Sequence, residues 1–289
     1  MKLEKTDDSV VKISIDDSDR ISIIWMADAH IDSVDTYRAK IKKIFDSNPD
    51  SYIIVGSDFS DMMQNFGDKR ASKGKDRYNV PDYINAICSD LIEFFSPYAH
   101  RIISFNLGNH ELNAVKFHGI NIAQWIATNI NQKCGTNIQT NDFAGYFILA
   151  MQPNIGENNK SKRVGYVHYQ IYYSHRPISG GSRSKGVLSA DIVSGRYPGA
   201  DMYIHEHIHQ SLLHPFSVEE LNTRHLRVKK NKWFVVMPTM KEEDQGAMNS
   251  HHYQRNYSPT FIGMMRLNFA IKHTPYHRID CNPIYLTAL

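Results

Sequence analysis

Five short clusters of Asp, Asn and His side chains carry the clearest chemical signal in this sequence. In chain order they are Asp28 with His30, Asp58 with Asp61, Asn109 with His110, the single His175, and His207 with His209. Each cluster follows a run of residues typical of a β-strand, so loops at one edge of a sheet could bring all five together. Their oxygen and nitrogen donors suit Mn²⁺, Fe or Zn²⁺, and no cysteine lies among them. The clusters therefore predict a two-metal site and metal-assisted hydrolysis of a phosphate ester.

The first half of the chain has the pattern of strands alternating with helices. Apolar alternation predicts a strand pair at residues 11–16 and 21–27, then strands at 52–55 and 101–107. Helical spacing predicts helices that end before Asn48 and that span 82–95 and 117–130. This order indicates βαβ units, in which ligands collect beyond the carboxyl ends of the strands.

From about residue 143 the pattern changes to short strands with one brief helix near 186–194. This β-rich part predicts a second sheet packed on the first. We expect an α/β fold of two packed mixed β-sheets flanked by helices. We also expect one domain over residues 1–289, because no Pro-, Gly- or Ser-rich linker interrupts the chain.

The bulk composition is that of an ordinary globular protein. Hydrophobic residues make up 42% of the 289 residues and charged residues 22%, which excludes a disordered or fibrous chain. The formal charge of +3 is too small to indicate nucleic-acid binding by itself. Three cysteines without metal spacing predict reduced, buried thiols, and no signal peptide or membrane span is expected. These features favour a cytoplasmic protein, or one of a host cytoplasm if the chain is phage-encoded.

The same clusters resemble the calcineurin-like metallophosphoesterase superfamily, in its stand-alone phage or bacterial form. Its pattern is Asp-x-His, Gly-Asp-x-x-Asp, Gly-Asn-His-Asp/Glu, a lone His, and Gly-His-x-His. The chain matches this order with Asp28-Ala29-His30, Ser57-Asp58-Phe59-Ser60-Asp61, Gly108-Asn109-His110-Glu111, His175 and Glu206-His207-Ile208-His209. One such triplet is common by chance, whereas five in the right order are specific.

The resemblance implies a role for each matching residue. Asp58 would bridge two divalent ions, with Asp28, His30 and His209 on one ion and Asn109, His175 and His207 on the other. Manganese is the first expectation, with Fe, Zn or Ni as alternatives. His110 would stay off the metals and act as general acid, a role suited to an imidazole. Asp61 or Glu111 would orient a ligating histidine.

Three positions depart from the family pattern. Ser57, Glu206 and Arg176 stand where the family usually has glycine. If the backbone of Ser57 or Glu206 needs a positive φ, the side chain costs about 1 to 2 kcal/mol. The carboxylate of Glu206 could tune a metal, bind it or face solvent, and the sequence leaves these alternatives open.

Basic loops beside the clusters give the only hint about substrate. Lys69 and Arg70 follow Asp61, and Arg176 and Arg183 follow His175, so these side chains could contact phosphate groups. We therefore expect a phosphodiesterase, with nucleic acid or a nucleotide as candidate substrate. Two alternatives stay open, a phosphomonoesterase or protein phosphatase and a metal-binding structural or interaction protein. The sequence is silent on oligomeric state.

Overall fold

The computed structural model describes residues 1–62, 80, 82–154, 165–176, 187–221, 225–242, 261–273 and 277–287, without the side chains of 187–191. Within these ranges the chain forms two β-sheets with helices on their outer faces. The strands are β1 Lys2–Asp7, β2 Val10–Ile15, β3 Arg20–Met26, β4 Tyr52–Val55, β5 Ile102–Asn106, β6 Gln139–Asn141, β7 Ala144–Met151, β8 Val167–Ser174, β9 Met202–His205, β10 Leu212–Leu221, β11 Arg227–Val236, β12 Met264–Lys272 and β13 Arg278–Leu286. The helices are α1 Arg38–Asp46, α2 Tyr83–Phe95, α3 Asn109–His118, α4 Ile122–Cys134 and α5 Val187–Arg196.

Both sheets mix parallel and antiparallel strands, as the sequence predicted. One sheet has seven described strands in the order β1-β2-β7-β8-β9-β11-β10, and the other has six in the order β13-β12-β3-β4-β5-β6. Strands β3, β4, β5 and β6 are parallel, and β8, β9 and β11 are also parallel. Because parallel strands end at the same edge, the loops after β3, β4 and β5 leave the sheet side by side.

Alternating side chains build separate apolar layers. In β3, Trp25 points into the space between the two sheets, whereas Ile24 and Met26 face the layer of α1, α2 and α4. On the far side of the seven-stranded sheet, Val193 of α5 packs against a third apolar layer. A two-residue period with both faces apolar is what a strand covered on both sides requires. The resulting order of layers is helix, sheet, sheet, helix.

Several local predictions were wrong because pairing and loop geometry depend on distant residues. The segments predicted as a strand pair, now β2 and β3, lie in different sheets: β2 pairs with β7, and β3 with β4 and β12. The helix predicted at 117–130 exists as α4 but begins later, at Ile122, because Gly119, with a φ of 68°, ends α3 in the left-handed region. The short strands predicted around 211–237 are the two long arms of the hairpin β10–β11.

Of the three cysteines, all free, only Cys88 is fully buried; Cys134 and Cys281 are partly exposed as residues, so the prediction of three buried thiols was wrong for these two. Within the described residues, no helix combines the length and apolar character needed to cross a membrane.

Candidate metal centre

Loops from both sheets meet at one edge and bring the sequence clusters together. The loop after β3 continues to bond the loop after β4 beyond the ends of the strands. Asp28 N–H donates to Ser57 O at 2.9 Å, and His30 N–H donates to Asp58 O at 3.0 Å. Thr239 fixes the same loop by donating its hydroxyl to Asp28 O at 2.6 Å. These bonds hold the first two clusters in register.

One group of converging donors consists of Asp28, His30 and His209. His30 Nε2 and His209 Nε2 lie 3.4 Å apart, and His209 Nε2 lies 3.3 Å from Asp28 Oδ1. The Asp28 carboxylate also accepts the His207 N–H, at 3.1 and 3.0 Å to its two oxygens. Asp28 is fully buried and His30 is 2% exposed, so bulk water does not form hydrogen bonds with these side chains.

The second group is Asp58, Asn109, His175 and His207. His175 Nε2 lies 2.9 Å from Asp58 Oδ2, 2.9 Å from Asn109 Oδ1 and 3.2 Å from His207 Nδ1. The Asp58 carboxylate is fixed by its other oxygen, which accepts the His110 N–H at 3.0 Å. Four metal-binding side chains from the loops after β4, β5, β8 and β9 thus surround one point, and Asp58 Oδ2 is directed toward it.

The donor spacing fits divalent ions. Atoms bound to one ion at about 2.0 to 2.2 Å lie about 3.0 to 3.5 Å from each other in tetrahedral or octahedral geometry. The measured separations within the two groups, 2.9 to 3.4 Å, match that range. The residues therefore fit the two ions that the family resemblance implies, and their assignment as ligands stays a prediction.

Backbone strain is concentrated on these same residues. A positive φ occurs at five of the seven predicted ligands: Asp28 (48°), His30 (44°), Asp58 (49°), His207 (82°) and His209 (50°). Each such residue costs of order 1 kcal/mol, and strain of this kind clusters at functional sites. Ser57 and Glu206 are not among the described residues with positive φ. The glycine-to-side-chain replacements at these two positions therefore carry no left-handed backbone penalty.

Gly108, in the loop after β5, must be glycine because of close packing and not because of its backbone conformation. A Cβ on Gly108 would lie 2.0 Å from Asp58 Oδ1 and 2.5 Å from Asp58 N. The φ of Gly108 is −113°, so the requirement is close packing and not conformation. Gly108 lets the start of α3 approach the Asp58 carboxylate.

His110 lies beside both groups without belonging to either ligand set predicted for the ions. Its Nδ1 is 2.5 Å from the backbone oxygen of Asp61, and its Nε2 is 3.7 Å from Asp58 Oδ2. A carbonyl only accepts hydrogen bonds, so the proton of a neutral His110 sits on Nδ1. Nε2 is then the atom that can take or give a proton toward the centre.

The two carboxylates predicted to orient a histidine have different partners. Asp61 Oδ1 lies 3.0 Å from His30 Nδ1, so Asp61 can fix that ring while Nε2 faces the first group. Glu111 accepts four hydrogen bonds, from the N–H groups of Asp58 (3.1 Å), Ser60 (2.9 Å) and Gly108 (2.8 Å) and from the Ser60 hydroxyl (2.8 Å). Glu111 therefore fixes loop backbone.

Burial and charge act against each other on the titratable groups of the centre. Burial raises the pKa of Asp58, but His175 and His110 more than offset it and hold that pKa below its usual range. Burial lowers the pKa of His175, but the charge and hydrogen bond of Asp58 raise it well above the ordinary value. Burial, followed by Lys241, lowers the pKa of His30 to about 4. Without a metal, the centre therefore keeps its aspartates ionised.

The structure assigns contacts at the centre to four further residues, Trp25, Asp32, Glu206 and Lys241. Their roles were not predicted from the sequence or were left open. Asp32 is fully buried and accepts the Asp61 N–H at 2.5 Å and the Met62 N–H at 3.0 Å. Lys241 Nζ lies 3.3 Å from Asp61 Oδ1 and brings a cation to the edge of the centre. Burial, then the charge of Asp61, raises the pKa of Asp32 to about 6. Asp32 comes two residues after His30, so extending the Asp28/His30 motif by two positions could have predicted it from the sequence. Lys241 lies outside every motif, and nothing in the sequence indicated its place at the centre.

The basic residues predicted to bind phosphate are placed only in part. Lys69, Arg70 and Arg183 lie outside the described residues. Arg176 directly follows His175 and is exposed. A positively charged side chain is thus adjacent in sequence to His175 of the second group, and its contact with substrate stays a prediction.

Comparison with known proteins gives similarity at the level of solved structures alone. No protein-family model matches the chain, and no curated protein matches it. The chain is similar to Vps29 from Chaetomium thermophilum, with 9% identity and a TM-score of 0.37 over 93% of this chain and 98% of that one. It is also similar to GAP50, the anchor in the inner membrane complex of Plasmodium, with 9% identity and a TM-score of 0.40 over 94% and 90% of the two chains. A third is a conserved predicted phosphoesterase of Streptococcus pneumoniae, with 10% identity and a TM-score of 0.32 over 91% and 98%. At these TM-scores the function must be argued from the site.

Proposed function

We propose that this chain is a hydrolase that cleaves phosphate esters, and specifically phosphodiesters, with the help of two divalent metal ions. The observation that carries the proposal is the convergence of seven Asp, Asn and His side chains into two groups spaced for metal ligation. The strained backbone at five of them supports the same reading, because a fold retains such strain where geometry matters for function. The likeness to the calcineurin-like metallophosphoesterase pattern gives the reaction class.

In this proposal Asp28, His30 and His209 would hold one ion, Asn109, His175 and His207 would hold the other, and Asp58 would serve both. Two such ions supply charge neutralisation and an activated water for attack on phosphorus. Residues of the chain supply the rest. Asp61 holds the His30 ring, and Glu111 holds the loops that carry Asp58 and Asn109.

His110 would protonate the leaving oxygen. Its Nδ1 donates to the Asp61 backbone oxygen, so the protonated ring carries its second proton on Nε2, gives that proton to the leaving oxygen and becomes neutral. The ring is 10% exposed, so a substrate at the mouth of the centre can reach it while bulk water is largely excluded. A general acid contributes about 10²- to 10⁴-fold to turnover when the leaving group is a poor one.

Charge near the centre favours a negatively charged phosphate ester, with nucleic acid or a nucleotide as candidate substrate. Lys241 stands beside the first group and Arg176 follows the second, so a negatively charged substrate would find a cation on each side. Cations that follow a phosphate backbone give a binding constant that falls steeply with salt. The same two residues would also attract a phosphomonoester, so substrate class is left to experiment.

The test uses protein loaded with Mn²⁺ and offered bis-p-nitrophenyl phosphate, p-nitrophenyl phosphate, and single- and double-stranded DNA. We expect turnover of the diester to exceed that of the monoester and to stop when EDTA removes the metal. His110→Ala should keep two bound ions. It should lose about 10²-fold or more of its turnover on DNA, whose leaving group is a poor one. His100→Ala, a change at an exposed histidine, is the matched control and should behave as wild type.

Each other result has a definite meaning. A higher rate on the monoester would replace the diesterase assignment with a phosphomonoesterase. Two bound ions without turnover of any ester would favour a metal-binding scaffold. Loss of the ions in His110→Ala would refute the acid role, and salt-independent DNA binding would remove nucleic acid as the substrate.

A further inference from the structure

Glu206 is the clearest departure from the family pattern, and its side chain is completely buried next to the proposed second metal group. Its Oε1 accepts the indole N–H of Trp25 at 2.7 Å, and its Oε2 accepts the Ser57 N–H at 3.1 Å. The same Oε2 lies 3.5 Å from Nδ1 of His175. One carboxylate therefore joins the ends of β3, β4, β8 and β9.

The surrounding chain is shaped to accept this carboxylate. A Cβ on Gly56 would lie 2.5 Å from Glu206 Oε1 and 2.9 Å from Trp25 Nε1, so a side chain there would collide with the pair. Trp25 is itself fully buried and packs edge-on against Phe147, with ring centroids 5.3 Å apart. A buried carboxylate is costly unless donors surround it, and here two N–H groups face it.

The position of Glu206 also determines which nitrogen of His175 carries the proton. Nε2 of His175 faces Asp58, Asn109 and His207, so it must be free of its proton to bind a metal. The proton then belongs on Nδ1, and His175 is fully buried, so water cannot accept it. Glu206 Oε2, 3.5 Å from Nδ1, is the carboxylate oxygen that lies beside it.

We propose that Glu206, held by Trp25, is a positioning residue that keeps His175 in the tautomer and orientation needed to bind the ion of the second group. This inference rests on the metal centre of the proposed function and is independent of the substrate. Of the three alternatives that the sequence left open, it selects tuning of the metal through a histidine over direct ligation or exposure to solvent. Outer carboxylates of this kind change metal affinity by about 10- to 100-fold.

Glu206→Gln is the informative substitution because it conserves shape. An amide has a single acceptor oxygen, and we expect it to keep the shorter bond, from the Trp25 N–H at 2.7 Å against 3.1 Å from the Ser57 N–H. The amide nitrogen would then take the place of Oε2, face His175 Nδ1 and favour the opposite tautomer, with the proton on Nε2. Trp25→Phe is the second variant, since it removes the indole N–H but keeps an aromatic ring against Phe147.

Two measurements test the inference. Long-range ¹H–¹⁵N spectra of metal-free protein labelled on histidine report the tautomer of His175, assigned with His175→Gln, and they are recorded at a pH above the raised pKa of that ring, where it is neutral. Calorimetric titration with Mn²⁺ reports the affinity for each ion. We expect wild type to show the Nδ1–H tautomer, and we expect Glu206→Gln to lose it and to bind one of the two ions about 10- to 100-fold more weakly. Trp25→Phe should weaken the same ion by less, and Glu93→Gln, at an exposed helix position, should change neither measurement.

The inference is overturned if Glu206→Gln retains the Nδ1–H tautomer, or if it weakens both ions equally, as general damage to the fold would do. If Glu206→Gln does not fold, an unchanged tautomer and unchanged ion affinities in Trp25→Phe overturn it as well. Failure of the proposed function looks different: wild type would bind two ions and show the expected tautomer without hydrolysing any ester. Failure to bind Mn²⁺ at all would overturn the proposed function and this inference together.

Discussion

Glu111 should be a main determinant of stability at the centre, because one buried carboxylate accepts four hydrogen bonds from two loops. The perturbation is Glu111→Gln, which keeps the volume of the side chain and removes its charge. An amide oxygen can keep two of the four bonds, either those of Ser60 or those of Asp58 and Gly108. The amide nitrogen then faces donors on the other side, so two bonds to a charged acceptor are lost.

The magnitude follows from those two bonds. A hydrogen bond to a charged group contributes about 1.5 to 3 kcal/mol, so the loss of two lowers the free energy of unfolding by about 3 to 6 kcal/mol. Burial, then the charge of Asp58, raises the pKa of Glu111 to about 7. At pH 8.5, where the side chain is ionised and the comparison is made, Gln also removes the cost of that buried charge, so about 6 kcal/mol is an upper bound on the loss. A domain is stabilised by about 5 to 15 kcal/mol in total, so this variant would be severely weakened.

The assay is urea unfolding followed by circular dichroism, in EDTA so that metal binding does not contribute. Glu93→Gln serves as control because Glu93 is exposed on α2, and surface substitutions of this kind change stability by less than about 0.5 kcal/mol. A loss of under 1 kcal/mol in Glu111→Gln, relative to this control, would show that the four contacts do not hold the loops.

Three further predictions concern packing, pH and thiol reactivity. Gly108→Ala should displace Asp58 and reduce Mn²⁺ binding measured by calorimetry, whereas Gly195→Ala, with open space around the new Cβ, should bind as wild type; equal binding by both refutes the close-packing argument. Burial lowers the pKa of His205 to about 4, so between about pH 6.5 and 4 the unfolded chain binds a proton that the folded chain does not, and stability falls as the pH falls. His205→Phe should therefore lose about 2 kcal/mol less than wild type between pH 7.5 and 5 in urea titrations, and parallel curves would contradict this. Burial raises the pKa of Cys88 to about 12, so mass spectrometry should find it unmodified by iodoacetamide at pH 8 until urea unfolds the chain; rapid labelling of the folded protein would disprove its protection.

Much of the local structure could be predicted from the sequence because it depends on neighbouring residues. The apolar run at 52–55 is β4, and the helical stripe at 82–95 is α2, because each pattern has the period of its element. Partners of strands could not be predicted in this way. β1, β6 and β13 were missed, and β2 was paired wrongly, because pairing is decided by contacts between residues far apart in the chain.

For the centre, the order of the five clusters and their resemblance to the family pattern were enough to select seven side chains that the structure brings together, and their role as ligands stays a prediction. The tertiary structure alone decided which donors meet and how closely, for example the 2.9 Å between His175 Nε2 and Asp58 Oδ2. It also decided the role of Glu206, whose carboxylate is enclosed by Trp25, Ser57 and His175 from three other strand ends. A sequence fixes the chemistry that each residue can offer, but the surroundings that direct that chemistry are made by segments which only the fold brings together.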